Sequence, residues 1–232
     1  MTQATEAMLK TLTDAVAAEF AAAGFVLKRG RHFERVSASG RTHRYTVGLS
    51  KQKGWYSLHL TLGLLDRTLM AGVNAVLEQA LRDEAFDYPE SWPPALVESS
   101  IKTRVSNQVV ETLTDWRSLR DDTEALEAFN ARFWIWLRAF DSLDEVPGWQ
   151  AQLSASVTLS LEWFRRADAA EWIEANTDYP ALYLLHRRSA YDALQVRYQA
   201  LLERAPDPQE MRLFHKHLSA ARVDPSGVTR PD

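Results

Sequence analysis

Between Phe25 and Leu65 apolar side chains recur at every second residue, and a glycine closes each interruption. That alternation limits the fold more than any other feature, because a period of two can bury only one face of an extended strand. Over residues 55–64, Tyr56, Leu58, Leu60, Leu62 and Leu64 point one way, and Trp55, Ser57, His59, Thr61 and Gly63 point the other. Residues 42–50 set Tyr45, Val47 and Leu49 against Arg44, Thr46 and Gly48 in the same manner. Two shorter strands are expected at 25–28 and 31–36. The separators at 29–30, 37–40 and 51–54 all end in glycine, which a tight reversal with positive φ favours. The pattern predicts an antiparallel meander of four strands.

Helical spacing flanks the meander on both sides. Met8, Leu12, Val16 and Phe20 recur at every fourth residue, so a helix is expected over 2–23, closed by Gly24. After Asp66 the spacing returns in Leu69, Val73, Val76, Leu77, Ala80 and Leu81. Residues 83–94 hold four acids and three prolines and read as a surface loop. Residues 101–113 suit a helix through Ile101, Val105 and Val109, or a short strand at 109–112. One helix is predicted over 123–140, with Leu126, Phe129, Phe133, Trp136, Leu137 and Phe140 along one side. Beyond Pro147-Gly148, helices are expected at 150–166, 167–176, 180–205 and 208–221, with His186-Arg187-Arg188 as a helix junction, and then a frayed tail at 223–232. The fold class is therefore α+β, an N-terminal helix on a four-stranded antiparallel meander with flanking helices, followed by a C-terminal helical bundle. The corresponding division is an α+β domain at 1–146 and a helical domain or extension at 147–222.

The run Gly24-Phe25, Leu27-Lys28-Arg29-Gly30, Phe33 and Arg35, with an aromatic-led strand from Trp55, resembles an uncharacterised bacterial family known as domain of unknown function 4304. The likeness covers about residues 4–140, and Thr114-Asp115-Trp116 ahead of an aromatic-rich stretch adds to it more weakly. It implies an α+β domain and supplies no reaction.

Several function classes lose their usual support. The chain has no cysteine, which excludes disulfides and thiolate chemistry and fits a reducing compartment. Its first residues lack the basic and apolar pattern of an export signal, and no apolar stretch approaches membrane-spanning length, so a cytoplasmic protein away from membranes is expected. Glycine-rich nucleotide loops, nucleophile elbows and His-Glu-x-x-His are absent. His215 and His217 stand two apart, which on a helix turns them about 200° from each other and argues against a shared metal. No catalytic residue, metal or cofactor is assigned.

Charge is distributed unevenly. Lys28, Arg29, Arg31, Arg35, Arg41, Arg44, Lys51 and Lys53 face only Glu34 in their stretch, a local charge of +7 against −11 for the rest. A solvated sheet face explains such a run. So does a nucleic-acid track over residues 28–55, with Trp55 to stack a base. Arg35, Arg44 and His59 could also project from the mixed face to hold a carboxylate or phosphate near Tyr45. The aromatics from Phe133 to Leu137 fit a buried helix or a subunit contact, since a ligand box would need convergent polar groups that the sequence does not place. The function expected is non-enzymatic binding of a macromolecule, a protein partner first, with toxin neutralisation of the immunity type as one concrete form. The candidate binding residues are Arg29, Arg31, Arg35, Arg44, Tyr45, Trp55 and His59.

Overall fold

The computed structural model describes residues 3–205 and 208–221. In chain order they form α1 (Gln3–Ala22), β1 (Val26–Lys28), β2 (His32–Val36), β3 (Thr42–Gln52), β4 (Trp55–Leu65), α2 (Arg67–Leu81), α3 (Pro94–Arg104) and β5 (Val109–Leu113). There follow α4 (Leu126–Arg132), α5 (Trp149–Ala167), α6 (Ala170–Asn176), α7 (Tyr179–Arg187), α8 (Tyr191–Arg204) and α9 (Gln209–Ala220). An N-terminal helix, an antiparallel sheet with flanking helices and a C-terminal helical bundle are all present. The sheet runs β1-β2-β3-β4-β5, so a fifth strand joins the four of the meander. It comes from the stretch where helical and extended patterns compete, with α3 ending before it begins. The expected tail at 223–232 lies outside the described residues.

The meander forms because its turns and its alternation agree. Gln52 pairs with Trp55, leaving Lys53-Gly54 as a two-residue turn with φ of 50° and 95°. Positive φ at both central residues gives the reversal whose twist matches that of the strands. In register, Phe33 lies opposite Tyr45, and Tyr45 opposite Leu62, all three buried. Phe20 from α1 closes over them, its ring 4.7 Å from Phe33 and 4.5 Å from Tyr45. On α1 the buried stripe runs through Leu9, Leu12, Val16 and Phe20, with Met8 only half-buried.

Two expected helices are broken. The predicted helix over 123–140 stops at Arg132, a tight 3₁₀ turn follows at Trp134–Trp136, and Phe140 is extended. Phe133 and Ile135 are both buried, which one helical face does not allow, and the Phe140 backbone exchanges two hydrogen bonds with Tyr56 of β4, at 2.8 and 3.0 Å. The predicted helix over 180–205 divides into α7 and α8, with Ser189 at a φ of 57° just past the His186-Arg187-Arg188 junction.

The chain makes two compact units, each assembled from separate stretches. One takes Met1–Leu65 and Glu111–Asp168, the other Asp66–Val110 and Ala169–Asp232. The break expected at 146/147 therefore falls inside the first unit, where α5 packs on α1 and β4. In the second unit α2 packs with α7 and α9, and the close approach of α2 to α7 occurs at Gly72, where an added Cβ would lie 2.1 Å from the Tyr183 hydroxyl. Among the described residues no helix is long and apolar enough to cross a membrane.

Candidate functional site

Strand parity assigns each candidate residue to a side of the sheet. Arg44 lies opposite Glu34 and Gly63, and His59 opposite Gly48, so these side chains share the outward face with Trp55. Arg35 lies opposite His43, and Tyr45 opposite Phe33, on the inward face. Tyr45 is fully buried, its hydroxyl 2.9 Å from Ser156 of α5, and burial raises its pKa well above the usual phenol value. A single pocket built from Arg35, Arg44, His59 and Tyr45 is thus ruled out, because they stand on opposite sides of the sheet.

Most of the basic run is engaged inside the chain. Glu34 receives Lys28 at 2.8 Å and Arg44 at 2.6 Å. Burial would raise the Glu34 pKa, but these two cations hold it below the usual carboxylate range. Lys51 reaches the Tyr56 hydroxyl at 3.1 Å. Arg35 donates to the Ala23 carbonyl at 2.9 Å and sits 4.7 Å above the Phe25 ring. Arg29, Arg31 and Lys53 are exposed and form no ion pair among the described residues.

Where the inward face meets the end of α5, a polar cluster appears that periodicity does not reveal. His43 is only 2% exposed, its ring stacked 4.7 Å from Phe164, with Nδ1 3.2 Å from Arg35 and Nε2 3.4 Å from Asp168. Arginine can only donate, so Nδ1 accepts and the proton sits on Nε2, facing the carboxylate. Ser39 and Ser37 donate to the same Asp168 oxygen at 2.7 and 3.2 Å, and Arg41 donates to the Asp168 carbonyl. Burial lowers the His43 pKa despite Asp168. Burial would raise that of Asp168, but the two serine hydroxyls and His43 hold it low. Ser37, Ser39, Arg41 and His43 all converge on Asp168, which suits a clasp between hairpin and helix.

The outward face adjoins a cleft of about 520 Å³ beside β4. Asp115 accepts from the Arg117 amide and caps the 3₁₀ turn Trp116–Leu119. That turn lays Trp116 along β4, with Nε1 donating to the Leu60 carbonyl at 2.9 Å. Trp136 stacks on Trp116 at 5.5 Å and 7°, and Phe133 and Phe129 continue the aromatic wall. His59, Thr61, Asn130 and the Asp115–Arg117 pair supply the polar lining. These are the convergent groups the sequence does not place, and they come together only because the 123–140 stretch is not one helix. Thr114-Asp115-Trp116 was the one visible signal. Other hollows of 460 and 450 Å³ are lined chiefly by polar and charged side chains of α2 and the α3–β5 turn, and of α1 and the β1–β2 turn.

Ser50 Oγ lies 3.1 Å from His59 Nε2 on the outward face, a hydroxyl beside an imidazole that sequence reasoning did not place. Both stand on an open strand surface, and no carboxylate among the described residues holds the other ring nitrogen, so the pair lacks the orienting acid of an activated nucleophile. His215 stacks on Tyr198 at 3.9 Å while His217 reaches Asp83 at 2.6 Å, so the two histidines face different neighbours. No family model, curated protein or solved structure matches the chain.

Proposed function

We propose that the chain is a non-enzymatic interaction protein that docks a protein partner on the outward face of its sheet. The supporting observation is Trp55, 50% exposed on that face, with Val26 and Val36 exposed at 62% and 69% on the strands at its other side. Between them lie half-exposed Thr42, Thr46, Ser50, Ser57 and Thr61, with His32, Glu34, Arg44 and exposed His59 among them. A sheet face that keeps large apolar groups in water carries the composition of an interface centre, where tryptophan is enriched. Arg44 and Lys28 both pair with Glu34, which offsets part of their charge and leaves apolar contact as the main basis of recognition there.

Toxin neutralisation of the immunity type is the concrete form of this proposal. The test immobilises the full chain against an extract of its own source cells at low and physiological ionic strength, beside Trp55→Ala and Val36→Glu. Both positions are exposed, so the variants fold. A partner held by the parent chain and lost from both variants supports the proposal. No partner, or one indifferent to both changes, defeats it. If that partner is a toxin, co-expression of the parent chain protects growth and Trp55→Ala does not.

A further inference from the structure

The cleft beside β4 is lined by aromatic side chains and a few polar ones. Its volume of about 520 Å³ suits a small molecule. Stacked Trp116 and Trp136 form a flat wall, and Leu137, 49% exposed, adds an apolar side chain still in contact with water. The charged lining is self-neutralised, because Arg117 contacts both Asp115 oxygens, at 2.8 and 2.9 Å. An uncharged occupant follows. Two lining side chains also carry a buried polar atom without a partner, the acceptor Asn130 Oδ1 and the donor Trp136 Nε1. Buried polar atoms are nearly always satisfied in folded proteins, so the pair marks what the wall lacks.

We propose that this cleft binds an uncharged, planar aromatic molecule bearing a carbonyl and an N–H, as in a lactam or carboxamide. The ring lies against the tryptophan wall, the carbonyl accepts from Trp136 Nε1, and the N–H donates to Asn130 Oδ1. Both atoms are shut off from water, so seating the ligand turns lining side chains, a change of ordinary size at binding sites.

The test titrates the full chain with 2-quinolone, naphthalene and quinoline-2-carboxylate, read by calorimetry or ligand-observed NMR. Saturable one-site binding of 2-quinolone is expected, with naphthalene weaker by roughly tenfold for lack of the two hydrogen bonds and the carboxylate not bound. Trp136→Phe removes one of the two hydrogen bonds and brings 2-quinolone part of the way down to naphthalene. Leu137→Arg, at an exposed position where folding is not at stake, abolishes both. Absence of saturable 2-quinolone binding overturns the proposal, as does equal binding of naphthalene or indifference to Leu137→Arg. Trp55→Ala leaves the titration unchanged, so this site and the partner-docking face stand or fall separately.

Discussion

His43 is held neutral by its neighbours. Arg35 occupies one ring nitrogen, Phe164 covers the ring, and only Asp168 favours a second proton, with Arg41 adding to the positive charge nearby. A histidine whose pKa is lowered on folding binds fewer protons folded than unfolded. Its contribution to stability is therefore complete above the ordinary value near 6.5 and is lost as pH falls from there. Urea melts of the parent chain should show stability dropping between pH 7 and 5. In His43→Gln the drop should be shallower, although the variant is the weaker of the two at pH 7.5. His32, His186 and His215 are also lowered by burial, so the comparison must be with the variant and not with a flat line. At this scale the sequence was least transparent. Arg35 looks like one more surface cation until register sets it opposite His43, and Asp168 gives no local sign that it closes the same cluster.

Between elements, α2 and α7 cross at Gly72 with no room for a side chain. An alanine there would gain about 1 kcal/mol of helix propensity, yet its Cβ would stand 2.1 Å from the Tyr183 hydroxyl and 2.4 Å from its ring. Overpacking of a buried site costs about 1–3 kcal/mol, and a contact this short lies at the upper end. Gly72→Ala should therefore lower stability by about 1–2 kcal/mol in thermal or urea melts, and Tyr183→Leu added to it should restore part of that loss. The meander was readable because alternation and turn residues are local signals that reinforce one another. The stretch at 123–140 was misread because its aromatics recur at helical intervals, whereas the element is set by a distant partner, the Tyr56 backbone that Phe140 joins. Nothing in the side chain of Ser189 announces the break between α7 and α8, since a left-handed residue there would ordinarily be glycine or asparagine. The cleft was hidden for the same reason as the broken helix that shapes it.

In the whole molecule, chain order and compact units do not coincide. A chain ending at Val146 matches the division suggested by sequence, yet it lacks α5, whose Leu153, Val157, Trp163 and Phe164 are buried. At about 1.5–3 kcal/mol for each, those four contribute about 6–12 kcal/mol, comparable to the whole stability of a typical domain. The shortened chain should show no cooperative melt by circular dichroism, whereas one free-standing α+β domain would keep its transition. The path also has a consequence during synthesis. The meander and α1 are complete at Leu65, but α5, which packs on α1 and β4, ends only at Ala167. At about 5–20 residues per second, the ribosome needs roughly 5–20 s to supply it. For those seconds β4 lacks the helix that packs on it, and the nascent chain depends on whatever in the cell keeps unfinished sheets from joining one another.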